Sequence, residues 1–150
     1  MKKALLLAIV ISTLATRGLG QADAVFSKGE ISTTDNHTGT IWLNELSKPD
    51  SILNYSIAVA TYAPGAKLDW HIHPAGQVLI ITEGTGYYQE RGKPKQIVHK
   101  GDVIKCSPGV EHWHGASPEN DFAYFAVTPA QNGKTIWLKR VTIEEYQAVK

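Results

Sequence analysis

The sequence has a single cysteine, Cys106, so no disulfide can close within the chain and no paired-thiol redox motif exists. It also lacks any Lys/Arg cluster. Its 15 basic and 14 acidic residues are interspersed, with a formal net charge of +1. That balance argues against nucleic acid or an anionic membrane as a partner. There is no internal repeat, low-complexity tract or interdomain linker. A length of 150 residues holds one domain with a proper core and is short for two. The longest apolar run, residues 4–15, is too short to span a bilayer with margin.

That run follows a basic tip, Lys2-Lys3, and precedes the small-x-small triplet Ala22-Asp23-Ala24. This is the layout of a secretory signal. The expectation is a signal peptide over residues 1–24, or a cut after Gly20, and one domain over residues 25–150. The mature protein is then periplasmic or secreted, with no membrane association after cleavage. Losing residues 1–24 removes Lys2, Lys3, Arg17 and Asp23, which leaves 12 basic against 13 acidic residues. Export into an oxidising compartment adds no internal staple.

What the chain does have is a succession of short β-like runs, at residues 40–43, 55–62, 78–82, 86–89, 96–98, 102–105, 122–127 and 135–139. Turn chemistry separates them, as in Ala63-Pro64-Gly65, Glu83-Gly84-Thr85-Gly86, Lys100-Gly101 and Ser107-Pro108-Gly109. Such spacing predicts an all-β sandwich or barrel. Only the tail departs from it. Thr142-Ile143-Glu144-Glu145 has the spacing of a capping box and predicts a short C-terminal helix to about Val149.

Histidine is concentrated. Four of the six histidines form two His-x-His pairs, His71/His73 and His112/His114. On a strand, positions i and i+2 share a face, so both rings of a pair point the same way. Two strands of a small barrel can thus deliver three neutral imidazoles to one cation. A lone inward histidine is more often a hydrogen-bonded core residue. Two pairs with a suitably spaced amide, Gln77, tip the balance toward a metal. His99 reads as a solvated turn residue, and His37 sits in a polar stretch outside the site. Cys106 reads as a small packed residue rather than a ligand.

These residues resemble the cupin superfamily. Its first motif runs Gly, five residues, His-x-His, three or four residues, an acid, six residues, Gly. The chain offers Gly65, His71, His73, Gln77 in place of the acid, and Gly84. The second motif runs Gly, five residues, Pro-x-Gly, two residues, His, three residues, Asn. Gly101, Gly109 and His112 keep that spacing, Pro108 is displaced by one, and Ala116 replaces the asparagine. The resemblance covers residues 58–128 at least. It implies a single-domain cupin jelly-roll β-barrel holding one divalent metal on His71, His73, Gln77 and His112. The stretches "HIHPAGQVLIITEGTGYYQERG", "KGDVIKCSPGVEHWHGASP" and "GKTIWLKRVTIEEYQ" are further similar to the manganese-dependent cupin hydroxynitrile lyases. That narrower likeness implies manganese and the reversible cleavage of a cyanohydrin to an aldehyde and hydrogen cyanide.

Three neutral imidazoles and a neutral amide leave the full double charge on a bound cation. Such a site is a stronger Lewis acid than one with a carboxylate in place of Gln77. Ligand chemistry alone also admits iron, zinc, nickel, cobalt and copper. His114 shares the face of His112 if the strand persists. It is the candidate proton-transfer group, the alternative being a histidine that only orients His112. Trp70 and Trp113 each precede a site histidine, so they face away from it, toward core or subunit packing. Phe122 and Tyr124 share one strand face and are the candidate substrate-binding residues. Trp42, Tyr55 and Trp137 sit on runs that a monomer leaves partly uncovered, which predicts a homodimer or homotetramer. The small-molecule rivals to a lyase are a metal-dependent dioxygenase acting on a diketone or phenol, and a non-enzymatic metal or small-ligand binder.

Overall fold

A computed structural model describes residues 25–148, so the expected signal peptide lies outside the described residues. Among the described residues, twelve strands and one helix follow in chain order. The first six are β1 (Glu30–Ile31), β2 (His37–Thr38), β3 (Ile41–Ser47), β4 (Tyr55–Tyr62), β5 (Lys67–Leu68) and β6 (His71–Ile72). Then come β7 (Gln77–Glu90), β8 (Gln96–His99), β9 (Val103–Cys106), β10 (His112–Ala116), β11 (Phe122–Pro129), β12 (Ile136–Trp137) and helix α1 (Ile143–Gln147). Every pairing is antiparallel. The sheet runs β1-β3-β4-β11-β7-β10-β5-β2, with β12 reaching it through β6, and curls into a jelly-roll barrel.

The 14-residue strand β7 makes that curl possible. Its first half pairs with β11 and β9, and its second half pairs with β10 and β8, so one strand serves both layers. The sequence predicts two runs here, parted by a turn at Glu83-Gly84-Thr85-Gly86. The structure corrects this: the segment is a bend inside one strand. The register against β11 shifts between Ala123 and Tyr124, and Gly84 adopts φ +74. Glycine is required on two counts, its left-handed backbone and its contact with the 120s loop. A Cβ there would sit 1.7 Å from the Asp121 carbonyl oxygen.

Strand alternation builds the core. Tyr62, Phe122 and Gly84 are directly opposed, as are Ala60, Tyr124 and Ile81, so each set points the same way. With Ile41, Leu79, Tyr88, Val98 and Ala116, the side chains of Tyr62, Phe122, Ala60, Tyr124 and Ile81 belong to the main buried cluster. A second cluster holds Trp70, Trp113, Val141 and Tyr146 beneath the C-terminal helix. Both tryptophans therefore face away from the site histidines and into core packing. Their indole N–H groups are satisfied, Trp70 by Glu145 at 3.1 Å and Trp113 by Gln89 at 2.9 Å. The capping box is present: the Glu145 amide donates to Thr142 Oγ1, and the Thr142 amide donates back to the Glu145 carboxylate. The helix is one turn long, and Tyr146 anchors it by donating its hydroxyl to the Ala116 carbonyl at 2.8 Å.

Gly84→Ala places a side chain in both a disfavoured backbone region and occupied space. The expected loss is about 2 kcal/mol or more of unfolding free energy. A denaturant midpoint unchanged from the parent would contradict the reading of Gly84 as the pivot of β7.

Candidate metal centre

Each candidate ligand is placed by backbone pairing. His71 opens β6, His112 opens β10, and the two are direct antiparallel partners. His73 follows β6 in a turn whose carbonyl accepts from the amides of Gly76 at 3.0 Å and Gly109 at 3.1 Å. Gln77 is the first residue of β7, opposite Cys106. Ring centroids of His71 and His112 lie 4.4 Å apart, those of His71 and His73 5.0 Å, and those of His73 and His112 5.5 Å. One ring nitrogen from each of the three falls within 4.8 Å of the others.

Hydrogen bonds decide which nitrogen is free. His71 Nδ1 lies 2.8 Å from the Asp69 carbonyl oxygen, and His112 Nδ1 lies 2.9 Å from the Val110 carbonyl oxygen. A carbonyl only accepts, so both Nδ1 atoms carry the proton and both Nε2 atoms present a lone pair. His73 Nδ1 is 3.2 Å from Thr135 Oγ1. Gln77 donates its amide to Thr128 Oγ1 at 2.9 Å, which turns its carbonyl oxygen the other way. The result is a set of buried acceptors without partners: His71 Nε2, His112 Nε2 and Gln77 Oε1, with His114 Nε2 beside them. Buried polar atoms are normally satisfied. The converging ring nitrogens of His71, His73 and His112 fit a divalent cation, which these three would hold, with the unpartnered Gln77 Oε1 as a further candidate ligand.

Burial also sets the protonation state. His71 is held well below the usual histidine range by burial first and by His112 next. His73 is lowered to about 4 by burial and by His112. His112 is lowered by burial. Neutral imidazoles are the form a cation needs.

The remaining sequence candidates sort by position. His114, mid-strand on β10, is wholly buried and its ring stacks 5.8 Å from that of His112. His112 takes its orientation from Val110, and His114 from Tyr124, whose hydroxyl lies 3.1 Å from His114 Nδ1. Burial pushes His114 well below the usual range, with His71 the next cause. Tyr124 thus touches the site. Phe122 lies deeper in the core, its ring meeting Tyr62 and Tyr124. Cys106 is buried, its thiol pushed up to about 12 by burial, and it stays outside the histidine cluster. His99 is exposed at the end of β8.

Several participants were missed in the sequence. Tyr62 hydrogen-bonds Tyr124 and so extends the chain that ends on His114. Thr128 orients Gln77, and its signal was available, since Phe122, Tyr124, Ala126 and Thr128 share one strand face. Thr135 and Trp137 share one face of the 135–139 run, but alternation alone does not say that this face meets His73 and His71.

Comparison with known proteins agrees with this geometry. A family model described as a cupin domain matches residues 58–128. The chain is 41% identical over 115 residues to an (R)-mandelonitrile lyase of Granulicella tundricola, covering 75% of this chain and 87% of that protein. A cupin-like protein from Thermotoga maritima superposes with a TM-score of 0.80 at 40% identity, covering 83% of this chain and 96% of the other. A cupin 2 conserved barrel domain protein from Rhodopseudomonas palustris shares the fold at 16% identity, with a TM-score of 0.61 over 76% of this chain and 74% of that one. The chain belongs to the cupin superfamily, and it resembles that lyase.

His71→Ala, His73→Ala and His112→Ala should each lose most bound divalent metal, whereas His99→Ala keeps it; elemental analysis of purified protein reads this directly. Stoichiometric metal in the three variants would remove the basis of the site. The metal-free protein should also be acid-sensitive. The unfolded chain takes up histidine protons near pH 6.5, while the folded site refuses them down to about 4 at His73. Stability present above pH 6.5 is therefore lost as the pH falls toward 4, at up to about 1.4 kcal/mol per unit for each such histidine. A chelator-treated sample with the same thermal midpoint at pH 7 and pH 5 would refute the buried, neutral assignment.

Proposed function

We propose that this cupin is a carbon–carbon lyase that cleaves a cyanohydrin to an aldehyde and hydrogen cyanide, and also catalyses the reverse addition. The carrying observation is the set of uncharged donors, three imidazoles and the Gln77 carbonyl, with the unpartnered His114 Nε2 beside them. The likeness to a protein named (R)-mandelonitrile lyase supports the same reading. A divalent cation on His71, His73, Gln77 and His112, with manganese preferred, supplies Lewis acidity toward a substrate oxygen and stabilises its developing negative charge.

The chain's own residues do the rest. His71, His73, Gln77 and His112 add no charge, so nothing in the donor set weakens that acidity. With His114 Nδ1 donating to the Tyr124 hydroxyl, Nε2 is an acceptor. It takes the cyanohydrin hydroxyl proton as the C–C bond breaks and the carbonyl forms. The electron pair of that bond leaves with cyanide, and the proton then passes from Nε2 to cyanide to give hydrogen cyanide. Burial keeps the His114 imidazolium unfavourable, so the proton moves on to the stronger base rather than resting on the ring. Burial and the neighbouring phenol hold the Tyr124 hydroxyl well above the usual tyrosine range, so it stays protonated as the ring's anchor.

Gln77→Glu tests this most simply. It adds an anionic ligand at nearly the same volume, so metal is retained while Lewis acidity falls. Mandelonitrile cleavage, corrected for the spontaneous reaction and normalised to bound metal, should drop about tenfold or more, equivalent to roughly 1.4 kcal/mol of transition-state stabilisation. Equal or higher turnover would show that charge at the site does not limit the chemistry. Absence of turnover in the parent, with oxygen uptake on a diketone, would replace the lyase with a dioxygenase.

A further inference from the structure

The four tryptophans have different surroundings. Trp70 and Trp113 are buried with their N–H groups bonded, and Trp42 lies under the Lys28 ammonium at 4.7 Å. Trp137 is 42% exposed, yet its ring centroid lies 5.0 Å from that of His71, tilted by 42°. It is the direct cross-strand partner of His71 on β12, so the two side chains project from the same face of the pair. Thr135, two residues earlier, reaches His73 from the same side. Ile136 and Leu138 alternate with them and face outward. The strand carrying Trp137 is held in place by Ile136 opposite Ile72 and by the Leu138 amide donating to the Trp70 carbonyl at 2.8 Å.

One edge of the indole thus rests on a buried site histidine, while a large part of it stays open to solvent. A hydrophobic ring left exposed beside a cluster of converging polar atoms has an unused π-face. We infer that Trp137 is a specificity-determining residue, a stacking surface at the rim of the histidine site that favours substrates carrying an aromatic ring over aliphatic ones of the same reacting group. This rests on the lyase reading for the reacting group only; the ring-binding surface itself does not depend on it. Offset or edge-on packing of two rings supplies the preference, and Phe at the same position retains much of it.

The test compares the parent, Trp137→Ala and Trp137→Phe, each checked for fold by thermal midpoint, metal-free for the first readout and manganese-loaded for the second. The first readout is saturation-transfer NMR of benzaldehyde against butanal on the metal-free proteins. The expected result is ring-proton saturation in the parent and Trp137→Phe, reduced several-fold in Trp137→Ala, with no change for butanal. The second readout is kcat/KM for mandelonitrile against acetone cyanohydrin, per bound metal. The expected ratio falls roughly five- to tenfold in Trp137→Ala, chiefly through KM, and is largely restored in Trp137→Phe. Ring binding with no cyanohydrin turnover would sink the lyase reading and leave this inference standing. Turnover with an unchanged ratio and unchanged saturation in Trp137→Ala would overturn the inference and leave the lyase standing. A Trp137→Ala protein that changes only its oligomeric mass by light scattering would also overturn it, and make Trp137 a subunit contact.

Discussion

Two hydrogen bonds that look minor govern the site. His71 and His112 each donate Nδ1–H to the carbonyl two residues upstream in their own chain, Asp69 and Val110. Each bond fixes a tautomer, and with it the direction of the free Nε2 lone pair. Neither would converge on the other without the direct pairing of β6 with β10. That pairing in turn requires β10 to lie between β7 and the short strands of the opposite edge. Gly115 makes the close approach possible, because a Cβ there would meet the Ala66 carbonyl oxygen at 2.5 Å. The backbone thus decides the chemistry of the side chains before any ligand arrives.

The arrangement has an energetic cost in the absence of a cation. Unsatisfied buried polar atoms cost about 1–3 kcal/mol each, and four of them lie together here. Depressed histidine basicity has the same origin, since burial penalises the charged form. A cation on His71, His112 and Gln77 removes their share of the penalty, leaving His114 Nε2 free, and stabilises the fold by mass action. Poor hydrogen bonding and functional readiness are two descriptions of the same atoms. Like His73, which faces Thr135, His114 differs from His71 and His112 in having a partner at Nδ1 that can either donate or accept. The Tyr124 and Tyr62 hydroxyls behind it can reverse their direction without moving a heavy atom.

The legible parts of the sequence were those governed by short-range rules. The spacing of the paired histidines, the Thr142 capping box and the placement of Trp70 and Trp113 away from the site histidines follow from alternation or local hydrogen bonding, and the fold keeps them, although His73 lies just past β6 in a turn. The Gly84 segment was misread because glycine with neighbouring threonine and acid has the chemistry of a turn. Only the long-range packing of Asp121 against it reveals a bend in a continuous strand. Tyr62 was inaccessible for a related reason. Its role depends on β4 lying beside β11, an order no local pattern encodes. Trp137 was read as surface, and its exposure agrees. Its neighbour, His71, is supplied by a strand pair formed across 65 residues of chain, and alternation within one run cannot supply that partner.

Everything proposed for the site depends on one divalent cation being held by three imidazoles and an amide carbonyl. Pulsed electron–nuclear double resonance on the manganese-loaded protein tests it most directly, because each coordinated imidazole contributes its own nitrogen coupling. Three inequivalent histidine nitrogens on a single manganese are expected, assigned to His71, His73 and His112 by residue-by-residue loss in substituted protein. A spectrum of manganese surrounded by water alone, or one in which the couplings survive removal of those histidines, would contradict it.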